Sequence, residues 1–288
     1  MARKLWINLV ESFSLHKTMD EPPKHFTASL GFGHVLPMDD LLMHKEGGLP
    51  LQSFTLHDPN NATTELRLPA PESYTMKEAS CGLTVETGDF AVHKFSIGDD
   101  AIKGTYQLAA ESTDFFISQY EDQQGHMVWD PKPMDEVAQD QKILASFRTK
   151  IYAKAFTSAG EWNKPQSLGH ELELIPETDL TQVMPGEPVT FDVQYMGEPF
   201  TCTQGNMEYV VAASNTYGGE GGGSTEGFFL SAYAINGKVR FAFPSAGQWI
   251  VSAFSNQWVR DDDNWKHLSG KCQRVFHCAS VAFNVKAF

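Results

Sequence analysis

Pro188-Val189-Thr190-Phe191-Asp192-Val193-Gln194-Tyr195 alternates apolar and polar side chains without a break. Successive side chains on a strand point to opposite faces, so the stretch reads as one strand with Val189, Phe191, Val193 and Tyr195 on a buried face and Thr190, Asp192 and Gln194 on the other. Phe26, Ala28, Leu30 and Phe32 repeat the pattern near the start of the chain. Outward from these two anchors, further strands are expected at residues 82–85, 90–97, 104–110, 115–120, 148–156, 171–175, 207–213 and 281–285. Short strands at this spacing, separated by turn residues, point to an all-β protein of the sandwich class.

Asn236-Gly237 between residues 228–235 and 238–243 is the sharpest local signal, because a type I′ turn needs positive φ at both central residues and this pair accepts it. The turn is expected to place Phe241 and Phe243 against Trp249 and Val251 of the next strand. Only residues 134–146 suggest a helix, with Val137, Ala138, Gln141, Leu144 and Ala145 forming an imperfect apolar stripe. The stretch 158–169, with Ala159-Gly160-Glu161-Trp162-Asn163-Lys164-Pro165 at its centre, is rich in turn residues and lacks alternation. It is the expected boundary between an N-terminal sandwich of residues 1–160 and a C-terminal sandwich of residues 168–288. The glycine run 218–223 reads as the mobile tip of a long hairpin.

A chain of 288 residues suits two cores, and with 41% apolar residues it can build them without metal or disulfide staples. Its 36 acidic and 22 basic side chains give a formal charge of −14, which repels phosphate backbones and anionic lipid surfaces and attracts cations. Nucleic acid is therefore not an expected partner, and no apolar run is long enough to insert this chain in a bilayer. Leu5-Trp6-Ile7-Asn8-Leu9-Val10 is too short and too polar at its flanks for a signal segment and reads as the first strand. Of four cysteines, Cys272 and Cys278 are close enough to bridge across a tight loop, although buried free thiols are the simpler reading; no C-x-x-C spacing occurs.

Several chemistries lack their usual carriers. There is no G-x-S-x-G elbow, no H-E-x-x-H and no G-x-x-x-x-G-K-[ST], and Pro37 stops the helix that a dinucleotide site would need after Gly31-Phe32-Gly33. Asp99-Asp100 and Asp261-Asp262-Asp263 read as solvated loops, since adjacent residues on a strand diverge. The chain is thus expected to be non-enzymatic. The segment Gly31-Phe32-Gly33-His34-Val35-Leu36-Pro37-Met38-Asp39-Asp40 differs from these: glycines at a strand end free the backbone, and one short loop then carries an imidazole and two carboxylates. That donor set suits a borderline divalent ion such as nickel, cobalt or zinc, while an edge histidine that satisfies loop backbone groups is the competing reading.

Leu5-Trp6, Gly33-His34 with Pro37 and Asp39-Asp40, Tyr152-Ala153-Lys154-Ala155, Leu172-Glu173-Leu174-Ile175-Pro176, Gly186-Glu187-Pro188-Val189 and Gly197-Glu198-Pro199 together resemble the NikM-like family, linked to nickel uptake. Gly237-Lys238-Val239-Arg240-Phe241 and Pro244-Ser245-Ala246-Gly247-Gln248-Trp249 are similar to its closing hairpin. The resemblance implies a periplasmic all-β protein whose second half is immunoglobulin-like or transthyretin-like, with a membrane transporter as partner. Relatives often carry an alanine-histidine pair just before the leucine-tryptophan, where this chain has Arg3-Lys4. Family members tied directly to transport can also end in a membrane helix, whereas this chain ends on a strand, so a subunit role within a transporter is not expected.

Two functions follow. One is a binding or accessory protein that holds a divalent transition metal through His34, Asp39, Asp40 and His170, the last from Gly169-His170-Glu171 just inside the second half. The other is a structural or carbohydrate-binding sandwich that uses Trp129, Trp162, Trp258 and Trp265 and holds no metal.

Overall fold

The computed structural model describes residues 3–12, 24–34, 36–44, 47–78, 82–206, 208–215, 229–260 and 264–287. Among them the protein is all-β, with 3₁₀ turns and no α-helix. Strands are numbered in chain order. A first sheet runs β1 (Lys4–Ser12), β2 (Lys24–Gly33), β9 (His93–Ile97). The large central sheet has the path β18 (Phe229–Ala232), β17 (Val210–Ser214), β20 (Gly247–Trp258), β21 (Arg274–Val285), β13 (Lys142–Ala159), β10 (Gly104–Ser112), β5 (Leu51–His57), β6 (Thr63–Glu65). Two more strands extend it beside β13, β11 (Phe115–Glu121) and then β12 (Met127–Asp130). A third sheet holds β14 (Leu172–Pro176), β15 (Pro188–Tyr195), β16 (Glu198–Pro199) and β19 (Lys238–Ala242). Two small hairpins complete the set, β3 (Met43–His44) with β4 (Gly47–Gly48), and β7 (Thr75–Glu78) with β8 (Thr84–Thr87).

The central sheet is covered on both faces. Ile151, Ala153 and Ala155 of β13 enter a core with Leu5 and Ile7 of β1, Ala28, Leu30 and Phe32 of β2, and Leu108 of β10. Tyr152 and Phe156 enter the opposite core with Leu172, Val189, Phe191 and Val193 of the third sheet and Trp249, Val251 and Val281 of the central one. Period two thus sends neighbouring residues of one strand into different cores. Both anchor strands behave as read: Phe26, Ala28, Leu30 and Phe32 are buried, as are Val189, Phe191 and Val193.

The turn-rich stretch 158–169 does separate β13 from β14. The sheet runs past it all the same, because β13 pairs in parallel with β21, Phe147 opposite Arg274 through Lys154 opposite Val281. The first strand also lies against the last two: Ser280 Oγ of β21 donates to the Leu5 carbonyl, and Gln248 Nε2 of β20 donates to Asn8 Oδ1 at 2.8 Å. Residues of both halves therefore share one central layer, and each of the two large cores draws on both halves.

Two local expectations need correction. Residues 134–146 do not form a helix; Met134–Glu136 is a single 3₁₀ turn and β13 begins at Lys142. Hydrogen bonding to β11, with Ala145 opposite Gln119 and Phe147 opposite Ile117, outweighs a weak helical stripe. The Asn236-Gly237 turn has positive φ at both positions, 51° and 74°, as type I′ requires. Its arms, however, part after one bridge between Ile235 and Lys238: β18 joins β17 in the central sheet while β19 joins β15 in the third. The turn therefore carries the chain from one layer to the next. Phe243 still meets the Trp249 ring, with centroids 5.0 Å apart. Cys202, Cys272 and Cys278 are free thiols, so no Cys272–Cys278 bridge forms. Cys81, the glycine run 218–223 and Asp261-Asp262-Asp263 lie outside the described residues.

At Gly237 a side chain would meet Pro199, its Cβ 2.9 Å from the proline Cβ, and would also need a strained φ. Gly237→Val is expected to lower stability by about 1–3 kcal/mol. Gly186→Asn, at a positive φ with open space around it, should lower it less. Thermal melts of both variants against the parent check the ranking; equal melting temperatures would place the turn wrongly.

Candidate functional site

The loop after β2 is built around the Asp39 carboxylate. His34 N–H donates to Asp39 Oδ1 at 2.6 Å, and His34 Nδ1 lies 3.4 Å from Asp39 Oδ2. Gly33 has φ +123°, and a Cβ there would overlap that carboxylate, so only glycine lets the loop close on Asp39. Gly31 is small for another reason, since a Cβ would collide with the indole of Trp6, which sits opposite it on β1 and needs the space. Asp40 forms a bridge to Phe32, and its carboxylate is met by the Arg3 guanidinium at 2.9 Å. Arg3 in turn lies over the Phe32 ring, 5.9 Å from its centroid.

The structure thus joins His34 with Asp39, places Asp40 next to them but engaged by Arg3, and puts His170 elsewhere. His170 stacks on Tyr152, with ring centroids 4.6 Å apart and planes 19° from parallel. Tyr152 points into the core opposite the one that β2 packs into, so the central sheet stands between His170 and the loop of His34. Among the described residues no group of three or more His, Cys, Asp or Glu side chains is arranged to hold a metal ion. His34 and Asp39 offer an imidazole and a carboxylate on one side, and any further ligands to a cation there would come from water or a partner.

The face of β13 that bears Tyr152 carries a second feature, a network of ion pairs. Arg148, Lys150, Tyr152 and Lys154 follow one another at every second residue, and the three cations meet acids of the neighbouring strand, its loop and the third sheet. Arg148 pairs with Asp114 at 2.6 Å and Glu171 at 2.8 Å, Lys150 with Glu111 at 2.6 Å, and buried Lys154 with buried Glu173. Glu173 also accepts from Leu168 N–H, Gly169 N–H and Ser167 Oγ, and despite burial these donors and Lys154 hold it below the usual carboxylate range. The alternation of Arg148 to Lys154, together with Glu171-Leu172-Glu173, was a legible sign of a polar face. What it could not say was that this face is buried.

His277 on β21 is fully buried beside Arg148. Its Nε2 lies 2.6 Å from Glu171 Oε2 and 2.8 Å from Arg148 Nη1, while its Nδ1 is buried without a protein partner. Burial accordingly lowers the pKa of His277, although Glu171 opposes the shift. Glu171 sits well below the ordinary range: burial pushes it up, but hydrogen bonds from His277 and Arg148 outweigh that. His170 is driven down to about 3, first by burial and then by the nearby Lys154 charge. In this network the donors of Arg148 and the acceptors of Glu171 satisfy each other, which clamps the third sheet to the central one.

The four candidate tryptophans divide evenly. Trp265 is buried against His277, and Trp162 packs on the core beside Phe156. Trp129 and Trp258 are 59% and 42% exposed. No helix among the described residues is long and apolar enough to cross a membrane. Residues 1–257 match the family model described as Domain of unknown function (DUF4198), and no curated protein matches the chain.

Two outcomes follow from the buried network. Unfolded histidine takes up a proton near 6.5 and folded His170 only at about 3, so across that window the unfolded chain binds more protons and stability is lost as pH falls. His277 acts in the same direction. Melting temperature should decline on acidification below 6.5, and His170→Phe, which keeps a ring on Tyr152, should flatten the decline; an unchanged slope would show that His170 titrates normally. Arg148→Met leaves Glu171 with His277 alone and half-exposed Asp114 with the more distant Lys150, and should cost about 1–3 kcal/mol, read from denaturant unfolding.

Proposed function

Because the chain belongs to the DUF4198 family, whose function is unknown, we propose its role from its own residues: a non-enzymatic binding or accessory protein that takes a divalent transition ion at the loop of His34 and Asp39. The observation that carries this is the convergence of His34 Nδ1 and Asp39 Oδ2 to 3.4 Å at a strand end, on a loop that Gly33 closes around the carboxylate. Imidazole with carboxylate suits nickel, cobalt or zinc. The formal charge of −14 draws cations toward the surface. Asp40 is a supporting charge, and Arg3 competes with the ion for it, so the site is a weak one of two protein ligands completed by water or by a partner. His170 is no part of it. The similarity of several segments to NikM-like proteins supports a place outside the cytoplasm, in the periplasm, beside a membrane transporter for metal uptake.

Isothermal titration with nickel, cobalt and zinc, on protein without a histidine tag, tests this. Binding should weaken as pH falls, because imidazole and carboxylate must shed protons to act as ligands. His34→Ala and Asp39→Asn should each remove it, with the melting temperature of His34→Ala unchanged. Titrations of parent and His34→Ala that superimpose would take His34 out of the site, and a parent protein that binds none of the three ions would end the metal reading.

A further inference from the structure

The central sheet ends on β18, which pairs with β17 alone, Phe229 opposite Ala213 through Ala232 opposite Val210. Leu230, Ala232 and Ala234 turn inward onto the core shared with the third sheet. Phe229, Ser231, Tyr233 and Ile235, at every second residue, turn the other way and are exposed, the three large ones by 42%, 48% and 63%. The far edge of β18 therefore carries ladder hydrogen-bonding groups with no strand among the described residues to meet them.

An unpaired edge is a template for another strand, and proteins blunt theirs with charge, proline or shortness. The other edge strands of the three larger sheets follow that rule: each has a charged residue, among them Glu65 on β6, Asp130 on β12, Glu11 on β1 and Arg240 on β19. Phe229-Leu230-Ser231-Ala232-Tyr233-Ala234-Ile235 contains neither charge nor proline. In a chain of formal charge −14, contact between two copies is opposed by like charge, so an uncharged edge is where such contact costs least. The segment is also its own complement. Antiparallel pairing centred on Ser231 sets that residue opposite its own counterpart and, on both sides of the axis, Phe229 opposite Tyr233 of the other copy. Aromatic pairs facing across strands are among the favourable ones.

We infer that β18 pairs with β18 of a second copy of this chain, antiparallel about a two-fold axis at Ser231, so that two central sheets run on as one. The interface is isologous and closes on itself, which gives a dimer and not a fibre. The backbone ladder joins the copies, and Phe229 and Tyr233 cover each other on one face of the joined sheet. Few side chains from each copy take part, so the interface falls in the small class below about 1,200 Å², and the dimer is weak, with a dissociation constant of about 10–100 µM. It is independent of the metal site, whose loop follows β2 in the first sheet.

Sedimentation equilibrium of the full chain across the micromolar range tests the inference. The parent should show a monomer–dimer equilibrium. Ser231→Lys sets two like charges against each other on the axis and should weaken the dimer roughly tenfold or more; Ser231 is exposed, so the melting temperature of dilute protein should hold. Register is read separately: Ser231→Cys, oxidised with glutathione disulfide, should give a covalent dimer that dithiothreitol splits, whereas Thr64→Cys on the edge strand β6 should not. His34→Ala should dimerise like the parent, which separates this result from the fate of the metal site. A parent that stays monomeric overturns the inference and leaves the edge to a strand of another protein. So does a dimer that Ser231→Lys does not weaken, or equal cross-linking through cysteines at positions 231 and 64.

Discussion

An 18-residue strand, buried on both sides over most of its length from Arg148 onward, holds this molecule together. Along residues 147–154 β13 pairs with β21, and on its other edge it pairs first with β11 and then with β10. Its odd residues face the first sheet and its even residues the third. A strand in this position must satisfy two cores at once. It does so unevenly, with small and branched side chains (Ile151, Ala153, Ala155) toward the first sheet and long polar or aromatic ones (Arg148, Lys150, Tyr152, Lys154, Phe156) toward the third. Small residues let β1 lie close over β13, whereas long ones reach across to Glu171 and Glu173.

That asymmetry explains why a buried polar network persists between two β layers. Removing charges from water is costly, and the cost is offset only when every ion has a partner of good geometry. Here each cation on β13 has an acid, and Glu173 is further solvated by two backbone N–H groups and a hydroxyl. An apolar replacement of the set could be as stable, but it would lose the directional hydrogen bonds that fix the register of β14 against β13. The turn at Asn236-Gly237 then returns the chain from β18 in the central layer to β19 in the third, so both layers are tied by covalent as well as polar links.

The layering also sorts the functional candidates. His34 and His170 belong to opposite sides of the central sheet, which excludes a single site built from both. The loop of His34 remains accessible at the end of β2, with Arg3 as a fixed cation beside the acids.

Many strand positions, the tight turn at Asn236-Gly237, the break before β14 and the glycine-dependent loop at Gly33 were readable from the order of residues, because each rests on local rules: period two, positive φ, turn chemistry; β5, β12 and the first half of β21, whose places depend on pairing with distant strands, were not. His34 with Asp39 was legible for the same reason, being five residues apart on one loop. Sheet membership was not. Pairing of β13 with β21 joins residues more than a hundred positions apart, and nothing local in 142–147 outweighed a faint helical stripe until β11 supplied hydrogen-bond partners. Alternation likewise marked a polar face on β13 without saying whether water or Glu171 and His277 would meet it. Which tryptophans pack inside, which histidines share a side, and where one layer stops covering another depend on contacts between distant segments. Only the folded chain brings those segments together.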